Sequence, residues 1–264
     1  MKCDPQLSLR QFYKEIYYIL RETDTNINKV WCEISEISFF SEFSNSELRK
    51  FLENFEFISL QKGNYQYYLV INKILFITNT INVLNQDIRN LSGLLNYDGF
   101  EGLIQEILSK NNYITIKNFR FTDKSSFKSK TAQKRYEIDV IGIYLKYVLL
   151  IDAKQWKRKD SFGSINKAAD LQYQRAIALK KNPEFFSKII QDSLGTKLNL
   201  RKRLPFLLIP VMVTFEDNSI KISNNQIPLV SIYELNSFLQ ELPNNLSYFK
   251  IIKINKLSIQ KKLK

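Results

Sequence analysis

Two apolar runs with only three residues between them constrain this chain more than any other stretch. Tyr136 to Ile143 and Tyr147 to Lys154 are dominated by aliphatic and aromatic side chains. Runs of that length and composition read as buried strands, and their closeness makes them a hairpin. If Leu145-Lys146 is the turn, Tyr144 pairs with Tyr147, and every pair further out keeps the sum 144 + 147. Asp139 then stands opposite Asp152. Directly opposed residues in an antiparallel pair have Cβ atoms roughly 4.5–5.5 Å apart, which one divalent cation can bridge. Leu-Lys is not a favoured two-residue turn, and a longer loop would shift that register. Unpaired buried carboxylates are costly, so two facing ones call for a cation. Asp152 and Lys154 share a face, because strand side chains alternate.

The absence of histidine narrows the chemistry further. No Ser-His-Asp or Cys-His system is available, and no zinc hydrolase with histidine ligands. The two cysteines, Cys3 and Cys32, make neither a disulfide framework nor a zinc pattern. Hydrolysis here has to rest on carboxylates, lysine and a hard metal ion. The oxygen donors favour Mg²⁺, with Mn²⁺ able to substitute.

The formal net charge is +13, and it is unevenly spread. Residues 1–97 carry 10 Lys/Arg against 11 Asp/Glu, net −1; residues 98–264 carry 29 against 15, net +14. A polyanion such as nucleic acid is the partner expected for the second part. No signal-peptide core follows Met1, and the longest apolar stretch, Phe206 to Phe215, falls short of the roughly 20 residues a membrane span needs. A cytoplasmic protein without membrane contact is expected.

The 264 residues suit one large domain or two small ones. Apolar spacing predicts helices over Leu7–Thr23 and Ile27–Ser41. A cap at Ser44-Asn45-Ser46-Glu47 opens a short helix to Asn54. Strands Phe55–Leu60 and Tyr65–Ile71 follow, with the turn at Gln61–Asn64. Three helices and a hairpin resemble a winged-helix module, whose contacts, DNA or protein, stay open. A connecting helix over 72–95 leads to a boundary near Asn96–Gly99. Beyond it come a helix (Phe100–Lys110), a strand (Tyr113–Phe121), a lysine-rich loop (Thr122–Arg135) and the two-strand hairpin. A loop over Lys157–Gly163 and a helix over Ser164–Lys181 come next. Strands Leu207–Thr214 and Pro228–Ile232 and a closing helix, Tyr233–Leu242, complete a mixed α/β sandwich around one central sheet.

Asp139 at one strand and Asp152-Ala153-Lys154 ending the next resemble the PD-(D/E)XK nuclease superfamily, in particular its Mrr-type restriction-endonuclease-like members. Phe100-Glu101 matches the glutamate that this family places on the preceding helix. Gln155-Trp156, and Gln172 with Arg175 on the following helix, look like its secondary site residues. The Ile209–Thr214 and Ile227–Ser231 segments resemble its later strands. Ile138 stands where the family name has Pro, and the triplet opens with Asp152 rather than Glu. The resemblance covers about residues 97–242 and implies a restriction-endonuclease-like mixed sheet flanked by helices over 96–264, preceded by a small winged-helix-like α+β domain over 1–95. It implies a Mg²⁺-dependent endonuclease acting on DNA, with Asp139, Asp152, Lys154 and Glu101 catalytic. Asp139, Asp152, Glu101 and the Ala153 carbonyl would hold the metal. Trp156 is read as a packing residue or a base contact. A homodimer and a protein partner for the first domain stay open, as does a catalytically silent DNA-binding or regulatory protein on the same fold.

Overall fold

Phenylalanine decides the packing of the first part of the chain. The computed structural model describes residues 5–84, 91–123, 135–155, 162–195, 200–215 and 220–258. Helix α1 (Pro5–Arg21) follows the expected spacing, burying Phe12, Tyr13, Ile16 and Leu20. The Phe12 ring meets the rings of Phe39, Phe40, Phe51, Phe55 and Phe57. The helix expected over 27–41 is not formed. Lys29–Glu33 is strand β1, followed by single 3-10 turns at Ile34–Glu36 and Ser38–Phe40. The apolar residues of this stretch fit either period, and a strand partner decides between them. Val30 and Cys32 point inward, while Lys29, Trp31 and Glu33 point out. The Glu36 carboxylate then accepts the Glu33 N–H at 2.8 Å and turns the chain.

Helix α2 (Asn45–Leu52) opens on the expected capping box. Glu47 N–H donates to Ser44 Oγ at 3.4 Å, and Ser44 N–H donates to Glu47 Oε2 at 2.9 Å. Strands β2 (Ile58–Lys62) and β3 (Tyr67–Asn72) form a hairpin closed by Gly63 N–H to Gln66 O, at 2.8 Å, later than expected. Phe57 precedes the strand and is spent on the core. The sheet is antiparallel in the order β1-β3-β2. Asn72 then caps α3 (Lys73–Leu84) through its side-chain oxygen. Residues 85–90 of the expected connecting helix, most of the 122–135 loop, Trp156 and most of the 157–163 loop lie outside the described residues.

Helix α4 (Tyr97–Lys110) starts where the Asn96 side chain accepts the Gly99 N–H at 2.8 Å. The chain divides into two compact units, Met1–Glu106 and Ile107–Lys264, inside this helix. The boundary read from the sequence at 95/96 stands just before it. Asn111 and Asn112 end the helix as expected. Asn112 takes a left-handed φ of 65°, and Tyr113 N–H returns to Leu108 O at 3.0 Å.

The second unit is built on a six-stranded mixed sheet: β4 (Ile114–Thr122), β5 (Arg135–Tyr144), β6 (Tyr147–Lys154), β7 (Phe206–Thr214), β8 (Leu229–Ser231) and β9 (Ile252–Ile254). The order is β4-β5-β6-β7-β8, with β9 on β7. The β4-β5-β6 pairs are antiparallel and the β6-β7-β8 pairs parallel. Every residue of β7 is buried, which is why it reads as an unbroken apolar run. Helices α5 (Phe162–Lys181) and α6 (Pro183–Leu194) pack Ala176, Leu179, Phe186 and Ile190 against Ile141, Ile143, Val148 and Leu150. Helix α7 (Leu235–Asn245) follows β8. Neither α6 nor β9 was anticipated from the sequence. The unit is a mixed α/β structure with a mixed sheet flanked by helices.

Candidate active site

The β5–β6 hairpin does turn at Leu145-Lys146, with Leu145 exposed and left-handed at φ 53°. Pairing runs from Tyr144↔Tyr147 to Val140↔Ile151 in the expected register. It stops there, one pair short of Asp139 and Asp152. Continued ladder geometry would bring Ala153 N–H to the carbonyl of Ile138. Asp139 Oδ2 accepts that N–H instead, at 2.7 Å. A carboxylate has replaced a backbone carbonyl.

The ladder with the other neighbour is interrupted at the same residue. The β4 pairing skips Asn118 and Asp139, and Asn118 is left-handed at φ 55°. On β5, Tyr136 and Ile138 before this point and Ile141 and Ile143 after it reach the same core. Strict alternation forbids that, so the strand changes face at Asp139. Asp139 is buried and reaches along the sheet to Ala153; it does not extend a ladder pair with Asp152.

Asp152 is 1% exposed and ends the core run of β6. Arg175 Nη1, from α5, donates to its Oδ1. Lys154 Nζ stands 3.0 Å from Oδ2, as expected of residues sharing a strand face. That ammonium lies off the direction a hydrogen bond needs. Oδ2 is therefore charge-paired yet buried without a hydrogen bond among the described residues. Arg175 Nη1 also donates to Gln172 Oε1 at 2.9 Å, and Gln172 Nε2 donates to Leu150 O at 2.6 Å. Gln172 is fully buried. Residues three apart on a helix share a face, so Gln172 and Arg175 form one strut from the sheet backbone to Asp152.

Asp152 already has two cations from the chain itself, Lys154 and Arg175, while Asp139 accepts the Ala153 N–H. The sequence reading gave Arg175 only a secondary place. The i, i+3 spacing of Gln172 and Arg175 is the signal that ties it to Asp152. Ala153 enters through its N–H. Gln155 follows Lys154, half-buried. Glu101 is buried on α4, within the first compact unit. Among the described residues no group of three or more His, Cys, Asp or Glu side chains is placed to hold a metal. The donor set is nevertheless all oxygen, and the buried Asp152 Oδ2 lacks a hydrogen bond. Those two features fit a hard divalent ion.

No protein-family model matches the sequence, and no curated protein matches it. Among solved structures it is similar to protein VC1899 from Vibrio cholerae, with 13% identity and a TM-score of 0.30, over 93% of this chain and 57% of that one. It is also similar to Can2 from Sulfobacillus thermosulfidooxidans, solved in complex with cyclic tetra-adenylate, with 9% identity and a TM-score of 0.28, over 89% of this chain and 51% of that one. The chain thus spans little more than half of either. Neither likeness is close enough to bear on its chemistry. Among the described residues no helix is long and apolar enough to cross a membrane.

Proposed function

We propose that this chain is a divalent-metal-dependent nuclease of the PD-(D/E)XK type that hydrolyses phosphodiester bonds in DNA. The observation that carries this reading is Asp152, a buried strand-end carboxylate with one oxygen braced by Arg175 and the other beside Lys154 without a hydrogen bond. Asp139 and Asp152 would hold Mg²⁺ or Mn²⁺, and the family resemblance adds the Ala153 carbonyl and Glu101. A bound ion of this kind supplies an acidified water and neutralises phosphate charge. Lys154 orients the attacking water or offsets the charge that develops on the phosphate oxygens. Arg175 and Gln172 keep Asp152 in one orientation, and Gln155 stands next to Lys154 to meet the scissile strand.

A restriction-endonuclease-like domain over 96–264 is supported by the helix, the antiparallel β4-β5-β6 meander and the parallel β7 and β8 that follow. A winged-helix-like module over 1–95 is supported by the sheet order β1-β3-β2 and by α2 preceding the hairpin. It docks a protein partner or DNA. DNA as substrate is supported by the net +14 of residues 98–264.

A second reading is a catalytically silent DNA-binding protein. It is favoured by one observation, that Asp152 already has two cations from the chain itself beside it. The test is incubation of the pure chain with supercoiled, linear, branched and single-stranded DNA in Mg²⁺, in Mn²⁺ and in EDTA. Cleavage of at least one form with metal and none in EDTA supports the nuclease. Binding without cleavage under every condition supports the silent protein.

A further inference from the structure

The two cations on Asp152 are held very differently. Arg175 is part of a chain of directed contacts: it donates to Asp152 Oδ1 and to Gln172 Oε1, and Gln172 is tied to Leu150 O. Its side chain is 13% exposed, and the amide behind it is fully buried. Lys154 has only proximity, 3.0 Å from Oδ2, and its side chain is twice as exposed, at 26%. Oδ2 takes no hydrogen bond from it or from any other described residue. An undirected ion pair at a solvent-facing strand end is the weaker kind, because water competes for the ammonium.

Resting on the metal-dependent reading above, we infer that Lys154 is an exchangeable counter-ion of Asp152, displaced from Oδ2 when a divalent ion occupies the site, while Arg175 stays on Oδ1. Lys154 and the ion compete for one carboxylate oxygen. Three positive groups cannot crowd that carboxylate, and the one without directed contacts leaves. The released ammonium is still tethered one residue beyond Ala153, so it remains available to a phosphate or a water at the same edge of the sheet. The arrangement links the two events: Lys154 is sequestered while the site lacks metal, and is freed for chemistry by occupancy. Arg175 keeps the Asp152 rotamer unchanged throughout, so the exchange needs one side chain to move and no shift of β6.

The experiment uses the full chain and Mn²⁺ as the probe, with no DNA present. Calorimetric titration is run on wild type, Lys154→Met and Lys154→Gln. Loss of the competing ammonium should tighten Mn²⁺ binding at least about fivefold in both variants. In parallel, amine acetylation of the wild type is followed by mass spectrometry of the Lys154 peptide with and without Mn²⁺. Labelling of Lys154 should rise several-fold with Mn²⁺, relative to exposed Lys253 in the same sample. Equal or weaker Mn²⁺ binding by folded variants, or unchanged labelling at saturating Mn²⁺, overturns the exchange and leaves the nuclease reading standing. Absence of Mn²⁺ binding in wild type and variants alike overturns the metal reading, and the exchange with it.

Discussion

Asp139 has a structural duty that its carboxylate chemistry hides. Ala153 is fully buried, and its N–H has Asp139 Oδ2 as acceptor. Removing the acceptor orphans a buried donor, so Asp139→Ala should cost about 2 kcal/mol. Asp139→Asn keeps an acceptor oxygen at the same position and should fall within about 0.5 kcal/mol of wild type in EDTA. Urea unfolding of the three proteins tests this, and equal stability of the two variants would contradict it. Lys154 and Arg175 on Asp152 offset repulsion between the two carboxylates, so removing the Asp139 charge should bring no large gain in stability. Arg175 braces a carboxylate that still has Lys154 beside it, so Arg175→Met should destabilise by about 2 kcal/mol, the size of a charge-assisted hydrogen bond. Loss of no stability would mean that the strut bears nothing.

At the scale of elements, close approach and capping decide which pieces hold. A Cβ on Gly142 of β5 would come within 3.2 Å of Leu108 Cδ2 and of Tyr113 Cδ1, both on buried side chains at the end of α4. Gly142→Ala should therefore cost about 1 kcal/mol by overpacking, read as a lowered unfolding midpoint. Glu15 of α1 joins its helix to the 3-10 turn at Ser38–Phe40. Burial pushes its pKa up, but hydrogen bonds from the Ser38 hydroxyl, Phe39 N–H and Gln11 outweigh that and hold it below the ordinary 4.5. A lowered acid contributes stability above its unfolded pKa and loses it as pH falls through the folded value. The stability gap between wild type and Glu15→Gln should then be constant near neutrality and close below about pH 4.5. A gap unchanged down to pH 3 would remove Glu15 from that role. The elements that were legible in advance are those whose signals are local. The Ser44–Glu47 box and the Asn111-Asn112 stop each depend on neighbours in sequence, whereas the turn before Tyr147 followed from the short gap between two apolar runs and not from its residues. Helix-like apolar spacing over 27–41 misled because β1 exists only through its pairing with β3, a partner far along the chain. The same holds for the site. Asp152 and Lys154 were legible from strand period alone. The break at Asp139 coincides with a left-handed Asn118 in another strand, and Arg175 reaches Asp152 from the helix packed above it.

Over the whole molecule the charge is the most consequential asymmetry, net −1 in residues 1–97 against +14 in residues 98–264. DNA binding by the intact chain should weaken steeply with salt, since each neutralised phosphate releases counterions. Arg49→Ala and Lys62→Ala, at the groove between α2 and the β2–β3 hairpin, should leave the salt slope nearly unchanged if the second unit makes most phosphate contacts. Fluorescence anisotropy over a salt series measures it, and a slope reduced by about two in the double variant would shift the phosphate contacts to the first unit. The central claim is narrower than binding: that the carboxylates of Asp139 and Asp152 support metal-dependent hydrolysis. It is tested most directly by the rate at which supercoiled plasmid is nicked by wild type and by Asp139→Asn, each in Mg²⁺ and in EDTA. The account predicts nicking by the wild type in Mg²⁺ alone, and a loss of at least about a hundredfold in Asp139→Asn despite its native stability. Equal nicking by the two proteins, or wild-type nicking that persists in EDTA, would contradict it.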